Sequence, residues 1–551
     1  MASPERRPLF DFARLRSLRA CFAGLPSGSR TSCVSWLAVQ SFWTAAESEP
    51  ERIALIDPEG RAIRAGELAA QVNRLVHGLR ARGLGENAVV AVLQPNGAPL
   101  VEILLAAMQA GWHYTPINVH LRPGEVAHIL RDSRADAFFG DTRYADLCAA
   151  AADEAGVPAE RRFATGEVPG AEPIAALKDG QPDARPDARL AGQFMQYTSG
   201  TTGRPKAVRR AIPALDPDRM VAMLAPNLVR YDIEPGGDHV HLVTSPMYHM
   251  APLSFGYFSL HFQHPVVLMD GWDAERALAL IERHRVTTTH MVPTQFQRLV
   301  RLPAGVRTRY DVSSLRHVMH AAAPCPVELK RAMLDWWGPV IYEYYGATEG
   351  GGTMVRAHDW LAHPGTVGRP WPGADVKVLD DAGDECAPGQ IGTVYLKLMM
   401  EFEYKDDPDK TRANRRGDYF TVGDVGELDA EGYLYLRDRK IDMIISGGVN
   451  IYPAEVEAAL LGHPDVADAA VFGIPHEEWG EEVRAVVEPC AGVTAGSDLE
   501  RRLLAHCQDR LAKYKCPRAI EFRDALPRDP NGKLYKRLLR DPYWEGRDRR
   551  I

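Results

Sequence analysis

Two periodicities alternate along the N-terminal half of this chain, and that alternation restricts its fold more than any other feature. In residues 66–83, Leu68, Val72, Leu75, Val76 and Leu79 share one face of a helical repeat. The run Ala88-Val-Val-Ala-Val-Leu93 follows a glycine turn and predicts a strand, and residues 100–111 return to the helical pattern. Later, Ala274–His284 predicts a helix, followed by the β-branched run Val286-Thr-Thr-Thr and then Met291-Val-Pro293. Strands and helices alternating at this spacing predict layered α/β structure with substantial parallel sheet.

One hydrophobic core rarely organises 551 residues, so at least two domains are expected. Residues 161–190, rich in Pro, Ala, Gly and Asp, read as a surface connection. The pattern changes again near residues 436–439, and the segments beyond are short: Val471-Phe-Gly-Ile, residues 485–488, then a helix around residues 499–511. About 110 residues follow that change, enough for a small separate domain. The expected division is a large domain over 1–437 and a small one over 438–551.

The formal net charge of -8 argues against a global nucleic-acid surface, so no nucleic-acid partner is expected. Eight cysteines are scattered without a CxxC pair, which suggests reduced cytoplasmic thiols and neither a disulfide framework nor a zinc site. Arg6, Arg7, Arg14, Arg16 and Arg19 are interrupted by Glu5 and Asp11 and precede no apolar run, against a secretory signal. No stretch is long and apolar enough to span a bilayer.

The segment richest in chemistry is Tyr197-Thr-Ser-Gly-Thr-Thr-Gly-Arg-Pro-Lys206. Gly200 and Gly203 lack side-chain bulk, so backbone N–H groups can close on phosphate oxygens. Thr198, Ser199, Thr201 and Thr202 add hydroxyl donors, and Lys206 adds positive charge. The segment is not a P-loop, because Arg-Pro separates the second glycine from the lysine and no Ser or Thr follows.

This loop resembles the signature loop of the adenylating superfamily that contains acyl-CoA synthetases, peptide-synthetase adenylation domains and beetle luciferases. Further motifs in the family's order extend the resemblance from about Trp43 to Arg537. It implies a large N-terminal α/β domain and a small, mobile α+β C-terminal domain, with the active site between them. The implied reaction takes a small-molecule carboxylic acid, ATP with Mg2+, and coenzyme A. The acid is first activated as an acyl-adenylate and then transferred to the CoA thiol. A homodimer is compatible with the resemblance.

Residue by residue, Tyr345-Gly-Ala-Thr-Glu349 matches the next family motif: Tyr345 packs on adenine, Thr348 contacts the α-phosphate and Glu349 binds magnesium. Ala321-Ala-Ala-Pro324 resembles the small-residue loop of the adenine pocket. Ala322 and Gly346 are thereby also implied to border the substrate. Asp424, in Thr421-Val-Gly-Asp424, matches the aspartate that holds the ribose hydroxyls, although the family's Thr-Gly-Asp is here Val-Gly-Asp. Arg439 matches a second ribose contact. Ser446-Gly-Gly-Val-Asn-Ile-Tyr-Pro453 resembles the thioester-forming segment, with Gly447 and Gly448 admitting pantetheine; a hairpin turn leading into a capped helix is a compatible reading. Leu526-Pro-Arg-Asp-Pro-Asn-Gly-Lys533 matches the loop that delivers the catalytic lysine, Lys533.

Ser245-Pro-Met-Tyr-His249 resembles the segment flanking the acyl pocket, which makes His249 a substrate-site candidate, with a core histidine as its rival. Residues 245–260 contain no aspartate to pair with a substrate ammonium, so a plain carboxylic acid is favoured. Overall similarity leans toward a hydrophobic acid of fatty, steroid or terpenoid type. Transfer to a carrier-protein phosphopantetheine, or only one of the two half-reactions, are the alternatives. One departure concerns the hinge implied by the resemblance, where relatives carry Asp or Lys and this chain has Ile441; either Lys440 or Asp442 supplies the polar contacts there, the favoured reading, or the balance between conformations is shifted.

Overall fold

The computed structural model describes residues 39–198, 206–347, 350–397, 403–404, 412–528 and 534–545. The first sheet has six strands, all parallel, with Val89–Val92 at its centre between His113–Pro116 and Ala137–Asp141. Every residue of Val89–Val92 is buried, the signature of a parallel strand covered on both faces. The helix Ala65–Ala81 lays Leu68, Val72, Leu75, Val76 and Leu79 into the core, and none of them is exposed. The helix Ala98–Ala110 stops at Gly111, whose φ of 74° provides the left-handed cap that glycine adopts without strain.

Residues 161–178 are a folded part of this layer, while 179–190 are the largely exposed connection that their composition suggests. Arg162–Thr165 is a parallel strand of the sheet, with Phe163 and Ala164 buried. The helix Ile174–Lys178 packs so closely on Ala65–Ala81 that a Cβ at Gly78 would lie 2.0 Å from the Leu177 carbonyl. Four strand residues and a five-residue helix are too short to show a period among prolines and glycines.

The second sheet has nine strands. Its parallel centre runs Ile53–Ile56, Val266–Leu268, His241–Val243, Thr288–Met291, His317–His320 and Ile341–Ala347. The antiparallel strand Gly350–Val355 then turns back along Ile341–Ala347. A third, antiparallel sheet is built on Gly392–Lys397 and includes Asp424–Leu428 and Leu434–Arg439.

After Arg439 a tight turn, in which the Asp442 N–H donates to the Arg439 carbonyl at 2.9 Å, leads into a smaller five-stranded sheet with its own core. The strands Val466–His476 and Gly480–Pro489 of that sheet are far longer than the short segments expected there. Gly473 and Pro475 interrupt the apolar pattern that would have marked them. The architecture is thus mixed α/β, a large N-terminal domain followed by a smaller C-terminal one. The two meet where Arg301 donates to the Ala467 carbonyl at 2.6 Å. Among the described residues no helix is long and apolar enough to cross a membrane.

Candidate active site

The strand Ile341–Ala347 divides the site in two, because successive side chains of a strand point to opposite faces. Glu343, Tyr345 and Ala347 face one way, where Tyr345 and Ala347 pack beside Val208, Val367 and Leu396. Tyr342 and Tyr344 face the other way, against Tyr231, Phe255 and Met319. Residues implied to touch nucleotide and residues near the acyl segment therefore alternate along one strand.

On the first face the Tyr345 hydroxyl donates to Asp424 Oδ2 at 2.6 Å, and Arg439 Nε lies 3.4 Å from Asp424 Oδ1. Asp424 opens the strand Asp424–Leu428 and pairs in register with Arg439 at the end of Leu434–Arg439, so the sheet itself sets the two side by side. A carboxylate has about four lone-pair sites, so both oxygens keep capacity for two hydroxyl donors such as those of a ribose.

The loop after His317–His320 carries Ala322 at φ 75°, a left-handed conformation that costs a non-glycine residue about 1–2 kcal/mol. Beside it, Lys330 Nζ donates to Glu343 Oε2 at 2.6 Å with both side chains buried. Burial pushes the Glu343 carboxyl above its usual range, and the adjacent ammonium opposes that shift. His320 Nε2 is 3.6 Å from the same carboxylate, but burial and the Lys330 charge hold its pKa well below the usual value, so the ring stays neutral. The pair ties the helix Val327–Trp337, which follows the Ala322 loop, to the strand that carries Tyr345.

His249 is the N-cap residue of the helix Met250–His261, half-buried, with its ring 4.6 Å from that of Tyr248. The segment before it is held by one buried amide: Asn96 Nδ2 donates to the Ser245 and Met269 carbonyls at 3.0 and 2.9 Å, and its Oδ1 accepts from Met247 N–H at 2.8 Å. Gln196 Nε2 donates to the Tyr248 carbonyl at 2.7 Å, linking this segment to the strand Gln196–Thr198. That strand pairs antiparallel with Lys206–Arg209, with Thr198 opposite Lys206. Ser199, Gly200, Thr201, Thr202 and Gly203 lie outside the described residues, as do Thr348, Glu349 and Lys533.

Gly346 lies between Tyr345 and the aromatic face; a Cβ there would lie 3.0 Å from the Gly351 carbonyl and 3.5 Å from the Trp371 ring. Gly447 and Gly448 form the two-residue turn of a separate hairpin, Ile444–Ser446 with Val449–Ile451. Their φ values of 57° and 80° fit the primed turn that matches strand twist. The hairpin leads straight into the helix Pro453–Leu461, with proline in its first turn, so the hairpin-and-helix reading of this segment holds.

Around the Lys533 position, Arg528 pairs in a short antiparallel bridge with Leu534, and Tyr535 N–H donates to the Pro527 carbonyl at 2.8 Å. The Arg528 guanidinium grips the Asp468 carboxylate with two nitrogens, and Lys536 Nζ lies 2.9 Å from Glu457 Oε1. Both neighbours of Ile441 carry polar contacts: Lys440 Nζ reaches Asp381 at 2.9 Å, and Asp442 lies 3.6 Å from Arg540.

Sequence reading missed Asn96, Trp371, the Lys330–Glu343 pair and the Arg528–Asp468 grip. A buried lysine and glutamate in apolar surroundings were the one local signal; their pairing needs the fold.

The family model described as AMP-binding enzyme matches residues 42–399, and the one described as AMP-binding enzyme C-terminal domain matches residues 455–533. A feruloyl-CoA synthase from Amycolatopsis sp is 35% identical over 504 residues, 90% of this chain and 98% of that protein. The fatty acid–[acyl-carrier-protein] ligase ScoC of Streptomyces coeruleorubidus is 33% identical over 521 residues, 93% and 98% of the two chains. Among solved structures, the o-succinylbenzoate CoA synthetase MenE from Bacillus subtilis, in complex with its acyl-adenylate intermediate, superposes with a TM-score of 0.75 at 28% identity, over 92% of this chain and 97% of that one. The chain belongs to the AMP-binding enzyme family, with both its large domain and its C-terminal domain represented in one polypeptide.

Proposed function

We propose that this enzyme joins a carboxylic acid to coenzyme A in two steps, with AMP and pyrophosphate as the other products. In the first, a carboxylate oxygen attacks the α-phosphorus of ATP, the bond to the bridging oxygen breaks, and pyrophosphate leaves with the electron pair. In the second, the CoA sulfur attacks the acyl carbon, AMP leaves, and the thiol proton passes to solvent. The observation that carries this reading is the trio Tyr345, Asp424 and Arg439, a ring, a carboxylate and a guanidinium arranged as a nucleoside site needs.

In this reading Asp424 and Arg439 hold the ribose, and Tyr345 and Ala322 border adenine. The loop from Thr198 through Ser199, Gly200, Thr201, Thr202 and Gly203 to Lys206 cradles the phosphates. Thr348 contacts the α-phosphate, and Lys533 offsets charge during the displacement. Glu349 would hold the magnesium that accompanies ATP, which would offset phosphate charge there. His249 and Gly346 border the acid, and Gly447 and Gly448 admit pantetheine. Residues 1–437 form the adenylation domain and 438–551 the mobile one. The enzyme is cytoplasmic, and size-exclusion chromatography with light scattering tests whether it is a homodimer. The aromatic face of the strand Ile341–Ala347 supports an acid with an apolar body, fatty, steroid-like or terpenoid in type.

Incubation with ATP, magnesium, CoA and a panel of acids, read by mass spectrometry, is expected to give AMP, pyrophosphate and an acyl-CoA. ADP and orthophosphate would overturn the reading, because they require attack at the γ-phosphate. The likeness to ScoC supports a second acceptor, a carrier-protein phosphopantetheine. Thioester on a holo-carrier, and none on free CoA, would favour it.

A further inference from the structure

Arg230 stands at the aromatic face of the strand Ile341–Ala347, with no acidic partner among the described residues. Its guanidinium lies over the Trp371 ring, 4.4 Å from the centroid, and Trp371 covers Gly346 and Gly352 so closely that a Cβ at Gly352 would fall 2.4 Å from the ring. Nε donates to the Pro226 carbonyl and Nη2 to Asn227 Oδ1, each at 3.0 Å. The ionisable neighbours that act on it are the phenols of Tyr231 and Tyr344, and no carboxylate among the described residues pairs with it. Asp232, two positions along, is already held by Arg356 at 2.9 and 3.0 Å.

Desolvation lowers the Arg230 pKa, yet the side chain is only half-buried. Tyr344 combines the same two properties, a pKa raised well above the usual value by burial and a half-buried side chain. Both side chains are thus accessible on this face. Phe258, Met354 and Val229 are likewise half-buried at this cluster. These half-buried side chains are apolar or aromatic apart from the Arg230 guanidinium. A cation removed from water is stable when an anion meets it, and Arg is suited to a planar carboxylate.

We infer that Arg230 receives a second carboxylate at the far end of the acid, so that the preferred substrate is a dicarboxylic acid with an apolar or aromatic body. This rests on the ligase reading above and narrows its substrate class from plain hydrophobic acids. The carboxylate to be activated lies at the Gly346 end, and the remote one ion-pairs with Arg230. Trp371 covers one face of the guanidinium, and Nη1, which pairs with no described residue, is left for the ligand.

The test compares straight-chain and aryl-centred dicarboxylic acids of graded length with the monomethyl ester of each, by kcat/KM for pyrophosphate release. For at least one length the diacid is expected to exceed its half-ester by about 10-fold to 100-fold, the range for a charge-assisted contact made or lost. Arg230→Leu is expected to collapse that ratio to about one or below it, and Arg230→Lys to restore part of it. Arg230→Gln, which retains hydrogen bonding, reads the same ratio if the leucine variant does not fold. A parent enzyme that prefers every half-ester, or an Arg230 variant with the ratio unchanged, overturns the inference. If no acid of either kind yields AMP, the ligase reading fails, which is a different result.

Discussion

The Tyr345 hydroxyl donates a 2.6 Å hydrogen bond to Asp424, across 79 residues of chain and between two different sheets. The bond orients the carboxylate, while Arg439 restrains its other oxygen at 3.4 Å. Tyr345→Phe keeps the ring and removes only the donor. The expected result is a KM for ATP raised about 3-fold to 10-fold with kcat little changed, since such a bond contributes about 0.5–1.5 kcal/mol. Asp424→Asn is expected to raise it further. Steady-state kinetics at saturating acid check both, and equal KM values in parent and Tyr345→Phe would show that the bond does not organise the site.

Arg528, gripped by Asp468 and bridged to Leu534, tethers the chain on either side of residues 529–533. Asp468→Asn leaves the fold of the strand Val466–His476 intact and loosens that tether. Adenylation is expected to slow about 10-fold to 100-fold, because small misplacement of a catalytic charge is costly. Thioester formation from supplied acyl-AMP is expected to change little. Lys533→Ala should show the same asymmetry in stronger form, about 100-fold or more on adenylation. Separate assays of pyrophosphate release and thioester formation read the difference, and equal losses in both steps would refute a role confined to adenylation.

Polar contacts lie on either side of Ile441, at Lys440–Asp381 and Asp442–Arg540. Ile441→Asp is therefore expected to change neither half-reaction by more than about twofold, within the range of surface electrostatics. Lys440→Ala removes the contact to the large domain and is expected to shift the ratio of the two half-reaction rates by up to about fivefold. Added salt should mimic that substitution, because the pair is exposed. A parent enzyme that forms thioester from supplied acyl-AMP but makes no adenylate of its own would show instead that Ile441 biases the hinge.

Buried histidines set the acid limit of the fold. Burial lowers His241, His261 and His290 to about 3, and His113 and His264 to about 4, from an ordinary 6.5. Their folded pKa values lie below the unfolded one, so the unfolded chain binds more protons between these limits. The stability they contribute is fully present above about pH 6.5 and is lost as pH falls toward 4. Each pH unit in that window costs about 1.4 kcal/mol per histidine that stays neutral. The melting temperature is expected to be flat near neutrality and to fall steeply below pH 6. His241→Asn should flatten that fall, and a pH profile unchanged by it would mean that this ring is protonated in the folded state.

Much of this protein was legible locally. The helix Ala65–Ala81, the strand Val89–Val92 and the helix Ala274–His284 follow from the spacing of apolar residues, because burying one face of an element requires that spacing. The family motifs are likewise contiguous, and Gly447-Gly448 announces its own turn, since two consecutive positive φ angles cost glycine little. Strand Arg162–Thr165 was hidden, being too short and too mixed in composition for a period to emerge. Which side chains meet was decided only by the tertiary structure. Tyr345 reaches Asp424 because sheet pairing brings two distant strands together, and the pleat that turns Tyr345 toward Asp424 turns Tyr344 toward Arg230. The sequence by itself determined the elements, the motifs and their order, because those depend on neighbours in the chain. The partners of Arg230, Lys330 and Asp468 depend on burial and on register between strands, which arise only when the sheets assemble.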